Sequence, residues 1–233
     1  MEEKGAENGV AAMAACYQGF DPAEYLQSNY TPPRADFERK DILLLLSLSL
    51  TFPGDGPTLY QVMSGSEELL QDEGGCSLDW TPFLQHVCKL EGRRPSAWTE
   101  KAARLRQVIV DIVPIDVNRP QPLAHDALPS AGADCLVSCF CLESAFTRAL
   151  GHIGRLLRPG GHLLLIGTLG MSYYMAGAGV KIPTVPVNEA QVCASLKESG
   201  YTLIRLEVYT LRQDMNVGTD DAYGVFFVKA MKE

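Results

Sequence analysis

At 233 residues, 46% of them hydrophobic, the chain is long enough to bury a sizeable core as a single domain. Its formal net charge of -8 and pI near 5.1 argue against nucleic acid or an anionic membrane as the main partner and favour small-molecule chemistry. Seven cysteines without a Cys-x-x-Cys pair, and no histidines at metal-ligand spacing, read as reduced thiols of a cytoplasmic protein with no metal site.

Residues 1–15 read as a flexible tail, and Met1-Glu-Glu-Lys-Gly has neither the basic nor the apolar stretch of a secretory signal. Residues 21–34, with Tyr25, Tyr30, Pro32 and Pro33, predict a short helix and then an extended segment, because a residue before proline avoids the helical region. The apolar run 42–50 is the first strand and is too short to span a bilayer. Gly54-Asp-Gly-Pro57 follows it, and Thr58-Leu-Tyr-Gln-Val-Met63 opens a helix. Gly-x-Gly between strand and helix lets the backbone approach a ligand, although a ligand-free turn explains it about as well. Residues 66–75 are acidic, and 80–92 carry no clear period.

A helix begins near Thr99, with Ala102, Leu105, Val108 and Ile109 on one face and Glu100, Lys101, Arg104 and Arg106 elsewhere. It runs toward the apolar stretch 108–113 and the loop Pro114-Ile-Asp-Val-Asn118. The strongest local signal comes next. Asp134-Cys-Leu-Val-Ser-Cys-Phe140 reads as a strand, a helical stretch ends at Leu156, Arg158-Pro-Gly-Gly161 supplies the stop and turn, and His162-Leu-Leu-Leu-Ile-Gly167 is a second strand. That is one crossover of a parallel α/β sheet, whose ligands sit beyond the strand C-termini. Asn188 and Gln191 form a possible capping box for a helix ending before Gly200. Strands at 201–209 and 224–230 flank a polar loop with Asp220 and Asp221, which predicts an antiparallel strand in the sheet.

Several segments together resemble the nicotinamide, phenylethanolamine and indolethylamine N-methyltransferase family. They are Phe20-Asp-Pro-Ala-Glu-Tyr-Leu26, Asn29-Tyr-Thr-Pro-Pro-Arg34, Gly56-Pro-Thr-Leu-Tyr-Gln61, Pro114-Ile-Asp-Val-Asn-Arg-Pro-Gln-Pro-Leu123, Phe140-Cys-Leu-Glu143, Leu157-Arg-Pro-Gly-Gly-His-Leu-Leu-Leu-Ile-Gly167 and Gly224-Val-Phe-Phe227. They run in order from about Tyr17 to the C-terminus, and Pro-Gln-Pro-Leu lies closer to the phenylethanolamine branch. The resemblance implies a class I, Rossmann-like sheet with helices on both faces, in one domain of residues 16–233 with a lid segment at 16–40. It implies S-adenosyl-L-methionine as cofactor and a small aromatic amine as substrate. Tyr17, Tyr25 and Tyr30 would enclose the cofactor, Gly54, Gly56 and Thr58 would meet its methionine end, and Asp116 and Val117 its adenine. Arg34, Phe140 and Tyr174 would line the amine site, with Glu143 and Asp220 as the catalytic acids. Without the resemblance, Glu143 reads as a first-turn helix residue, Asp220 as a loop acid and the tyrosines as ordinary packing.

The chain departs from the family pattern at four places. Thr51-Phe-Pro53 stands where the glycine motif opens with an acid. Val62-Met-Ser-Gly65 passes almost directly into Ser66-Glu-Glu-Leu-Leu70, so the second strand and its ribose-binding acid are deleted. A segment is also missing between Glu143 and Thr147, and Met171 replaces a second amine-facing glutamate. Two readings follow: a working amine N-methyltransferase, or a catalytically impaired methyltransferase-fold protein with a binding role or none. A nicotinamide-dependent oxidoreductase ranks last, because the third glycine and the acid after a second strand are lacking. No oligomeric state follows from the residues.

Overall fold

The computed structural model describes Glu24, Thr81, Gln85, Cys88, Lys89 and residues 91–108, 113, 115–123, 131–142, 145–176, 179–212 and 218–233. The predicted first strand, the glycine turn, the deleted second strand, the tail and, Glu24 apart, the lid segment lie outside the described residues.

A single 3-10 turn at Pro95–Ala97 leads into helix α1 (Trp98–Val108). Ala102 is buried, as its place on the apolar face predicts. Lys101 was expected away from that face, yet it is buried too. Its ammonium pairs with Glu91, so a long apolar stem is covered while the charge finds a partner.

The crossover forms as β1 (Ala133–Cys139), α2 (Phe146–Gly154) and β2 (Leu157–Leu169), with β1 and β2 parallel and in register from Cys135 opposite His162 to Cys139 opposite Ile166. One detail differs from expectation. Helix α2 stops at Gly154, Arg155 and Leu156 make the turn, and Arg158–Gly161 bulge out of β2, since Leu157 already pairs with Ala133. Pro159 has no N–H for the ladder, and Gly160 holds φ at 74°. At Gly161 a Cβ would lie 2.8 Å from the Arg158 carbonyl oxygen, so the backbone could not close up with a larger residue.

Helix α3 (Glu189–Glu198) carries the predicted capping box. Gln191 N donates to Asn188 Oδ1 and Asn188 N donates to Gln191 Oε1, both at 2.9 Å. Strands β5 (Tyr201–Thr210) and β6 (Gly224–Lys232) complete a sheet of order β1-β2-β6-β5, in which β6 is antiparallel to both neighbours. The expected antiparallel member of the parallel sheet is therefore present. A separate small pair, β3 (Tyr173–Met175) and β4 (Lys181–Pro183), lies between β2 and α3 in sequence.

Successive residues of β2 and β6 point to opposite faces, and both faces are apolar. On one, Phe146, Leu150 and Ile153 of α2 and Val192 and Leu196 of α3 pack with Leu163, Leu165, Phe226 and Val228. Phe146 meets Phe226 edge-on, centroids 5.9 Å apart, within a cluster whose large side chains each stabilise the fold by roughly 1.5–3 kcal/mol. On the other, Cys139, Ile166, Val225 and Phe227 form a second cluster. Lys232 of β6 donates to the Gly154 and Leu157 carbonyls, placing a cation at the C-terminal end of α2.

Candidate functional site

At the C-terminal end of the parallel pair, β1 stops at Cys139 opposite Ile166, and β2 runs three residues further to Leu169. Phe140, next after β1, donates its N–H to Ile166 O at 3.0 Å with φ of 53°. A left-handed conformation in a bulky residue is rare and costs about 1–3 kcal/mol, so strain is concentrated at the mouth of the crossover. The Phe140 side chain is partly buried against the second apolar cluster.

Beyond β2 the chain turns at Gly170, whose φ is 70° and whose missing Cβ would sit 2.4 Å from the Tyr223 ring. Met171 follows, 8% exposed, and its sulfur accepts from the Thr168 hydroxyl at 3.5 Å. β3 then meets the loop that leads into β6. Tyr174 and Asp220 form an antiparallel bridge, and Met175 N donates to Thr219 O at 2.7 Å. Asp220 Oδ1 accepts from Ala222 N at 3.1 Å. Its neighbour Asp221 accepts from Ser172 N at 2.7 Å, from the Ser172 hydroxyl, and from Tyr173 N at 3.3 Å. Desolvation pushes the Asp221 carboxyl up, but the Ser172 hydroxyl and the backbone donors together outweigh it and leave it below its ordinary value.

A second group of site candidates sits on the loop 115–123. Asp116 Oδ1 accepts from Asn118 N at 3.1 Å and Oδ2 pairs with Arg119 at 3.0 Å. Three side chains of α2 and the turn after it reach this loop. Arg148 donates to Asn118 Oδ1 at 3.3 Å, His152 Nδ1 lies 2.8 Å from Val117 O, and Arg155 donates to Pro120 O at 2.9 Å. Their spacing puts all three on one helix face.

Of the residues singled out from sequence, Tyr174 and Asp220 are brought into direct pairing. Phe140 stands at the end of β1, and Asp116 and Val117 lie together on the loop against α2. Tyr17, Tyr25, Tyr30, Arg34, Gly54, Gly56, Thr58 and Glu143 lie outside the described residues. Sequence reasoning missed Asp221 with Ser172, and the Arg148, His152 and Arg155 row. The i, i+4, i+7 spacing of that row was the available signal. Among the described residues no cluster of three or more His, Cys, Asp or Glu side chains could hold a metal ion, and no helix is long and apolar enough to cross a membrane.

Comparison with known proteins bears on what this arrangement is for. The model of the NNMT/PNMT/TEMT family matches residues 67–233. Phenylethanolamine N-methyltransferase of Sus scrofa is 40% identical over 265 residues, covering 97% of this chain and 93% of that protein. The Homo sapiens enzyme of the same name is 39% identical, covering 96% and 93%. Nicotinamide N-methyltransferase of Homo sapiens is 31% identical, covering 97% and 98%. The 265 positions of the first alignment exceed the 233 residues here, so at least 32 of them face gaps in this chain, as internal deletions require. A solved S-adenosylmethionine-dependent methyltransferase of Methanosarcina mazei superposes on 50% of this chain and 64% of its own, with 14% identity and a TM-score of 0.38, too distant to add to the sequence relationship. On the family match and the identities across nearly its whole length, the chain belongs to the NNMT/PNMT/TEMT family.

Proposed function

We propose that the protein is a class I N-methyltransferase that moves a methyl group from S-adenosyl-L-methionine to the nitrogen of a small aromatic amine of phenylethanolamine type. Membership of the family carries this reading. The position of Phe140 directly after β1, and of the Tyr174–Asp220 bridge in the segment that follows β2, supports it, since an α/β sheet accepts ligands beyond the C-terminal ends of its parallel strands.

The described residues fit the adenine end of the cofactor. The Asp116 side chain is 48% exposed, and a carboxylate with about four acceptor positions, here meeting Asn118 and Arg119, keeps capacity for an adenine amino group. Val117 beside it is partly buried and offers an apolar contact. Tyr17, Tyr25 and Tyr30 are proposed as the lid, and Gly54, Gly56 and Thr58 as the support of the methionine end. The cofactor supplies an electrophilic methyl on a sulfonium and leaves as a neutral thioether.

The task of the chain is then positioning and proton removal. Phe140 stacks on the ring of the amine, with Arg34 and Tyr174 lining the same pocket. Asp220 and Glu143 face the ammonium, and Glu143, reached through water, takes the proton that must leave before the nitrogen lone pair can attack. Residues 16–233 act as one domain in this proposal, and the protein is cytoplasmic.

The deletions favour one alternative, a protein that keeps the fold and has lost turnover. Radiolabelled methyl transfer from S-adenosylmethionine to a panel of aromatic amines separates the two. Activity that Glu143→Gln lowers more than it lowers S-adenosylhomocysteine affinity upholds the proposal. A wild-type chain that binds S-adenosylhomocysteine and methylates no amine supports the alternative.

A further inference from the structure

The two adjacent acids before β6 have separate partners. Asp220 bridges Tyr174 through the backbone, whereas the Asp221 carboxylate reaches back 49 residues in sequence to Ser172 and Tyr173. We propose that Asp221 is a positioning residue for amine recognition: it latches the start of β3 to the loop before β6 and thereby fixes the Tyr174–Asp220 pair. This rests on the amine-methyltransferase reading and deepens it.

Three observations carry the inference. First, β3 and β4 have three residues each, and a hairpin that short does not hold its own shape in water. Second, the seam between β3 and the loop includes the Tyr174–Asp220 bridge, the hydrogen bond from Met175 N to Thr219 O, and the latch at Asp221. The latch contributes three of these contacts, and it sits directly before Tyr174. Third, the chemistry suits an acceptor-only group. Two successive backbone N–H groups and a hydroxyl all point at one carboxylate, which uses most of its lone-pair positions. An acid engaged this fully has little capacity left for a substrate ammonium, so Asp221 is the holder, while Asp220, which accepts from Ala222 N and the Thr219 hydroxyl, keeps the substrate-facing role that the proposed function gives it. The depressed Asp221 carboxyl keeps the latch ionised at neutral pH.

The 170–187 excursion also has hydrogen bonds of its own, and Gly170 packs against the Tyr223 ring. Thr184 Oγ1 donates to Met171 O at 2.7 Å, Thr184 N to Ser172 O at 2.9 Å, and Ile182 is fully buried. With these ties, the Tyr174–Asp220 bridge and the Met175–Thr219 hydrogen bond still in place, removing the latch should loosen the seam at Ser172 and Tyr173, whose donors can turn to water.

The test is calorimetric titration of a phenylethanolamine into the protein saturated with S-adenosylhomocysteine, so that it does not depend on turnover. Asp221→Ala should weaken amine binding roughly tenfold while S-adenosylhomocysteine affinity stays within about twofold. Asp221→Asn keeps one carbonyl oxygen for the two backbone donors and should recover most of the loss. Amide hydrogen exchange at Tyr173 and Tyr174 should quicken in Asp221→Ala and not in Asp221→Asn. If Asp221→Ala does not fold, Ser172→Ala, which removes only the hydroxyl donor, should still weaken the amine about twofold to threefold. Unchanged amine affinity in these variants, alongside a clear loss in Asp220→Ala, overturns the positioning role and leaves the site reading standing. Equal losses of amine and S-adenosylhomocysteine also overturn it, because they mark a general structural effect. If Asp220→Ala and Tyr174→Ala leave amine affinity untouched as well, the site reading itself fails and the inference falls with it.

Discussion

Replacing His152 with alanine should weaken cofactor-site binding although the imidazole is proposed to touch no ligand. A carbonyl oxygen can only accept, so the 2.8 Å contact to Val117 O requires a proton on His152 Nδ1. This contact is part-buried, while those of Arg148 and Arg155 on the same loop are exposed and compete more with water. His152 therefore makes the least water-exposed of the three side-chain hydrogen bonds to the loop. A net hydrogen-bond contribution of about 1 kcal/mol corresponds to a factor of roughly 5 in the ratio of docked to undocked loop. If adenine binds only the docked form, the apparent dissociation constant rises as that population falls. Losing all three contacts gives at most about 2–3 kcal/mol on the same scale.

The assay is calorimetric titration with S-adenosylhomocysteine of the wild type, His152→Ala and Asp116→Ala, with urea midpoints as the control for folding. Asp116→Ala should cost about 1–3 kcal/mol of affinity, as an unpaired adenine amino group would. His152→Ala should cost less and keep its urea midpoint within a small margin of the wild type. A folded His152→Ala with wild-type affinity, beside a weakened Asp116→Ala, refutes the reasoning that loop docking is coupled to the cofactor. If Asp116→Ala also binds normally, the adenine does not lie on this loop.

Tyr201 is 3% exposed, its hydroxyl donates to Leu150 O at 3.3 Å, and burial pushes its phenol up to about 12. A raised value favours the neutral form, so its stability is whole below the unfolded value near 10 and is lost as pH rises toward 12. That rise corresponds to roughly 3 kcal/mol. Urea titrations should show wild type losing that increment relative to Tyr201→Phe between those pH values, and parallel curves would refute it. Met171→Glu places a carboxylate where the native side chain is 8% exposed, so the thermal midpoint should fall without ligand. Saturating phenylethanolamine should raise that midpoint more than it raises wild type, because the ammonium pairs the new charge, and an equal ligand shift would show that residue 171 does not face the amine.

The elements that sequence predicted well are those encoded within a few residues. The apolar run of β1, the Asn188–Gln191 box, and the β5–β6 pair around a polar loop formed close to their expected limits, and the core of β2 lies within its expected run although the strand begins five residues earlier, at Leu157. What it misplaced depends on a distant partner. Arg158-Pro-Gly-Gly161 has every local mark of a turn, yet it is a bulge, because Leu157 pairs with Ala133 and draws the strand start forward. Lys101 looks like a solvated residue until Glu91 is beside it. Nothing local in Phe140 announces a φ of 53°; its N–H bond to Ile166 O accompanies that conformation.

The adjacent acids show why the site was only half legible. Successive residues of an extended chain send their side chains to opposite sides, so a ligand approached from one side meets only one of them. Resemblance singled out Asp220, but the division of labour is set by register: the bridge that puts Asp220 opposite Tyr174 carries Asp221 onto Ser172. A one-residue slip that set Asp221 opposite Tyr174 would bring Ala222 opposite Tyr173 and leave the start of β3 without an acid to hold it. On the proposed site assignment, amine recognition depends on the seam register as much as on the acid it presents, and the Asp221 latch and the backbone hydrogen bond from Met175 to Thr219 both hold that register.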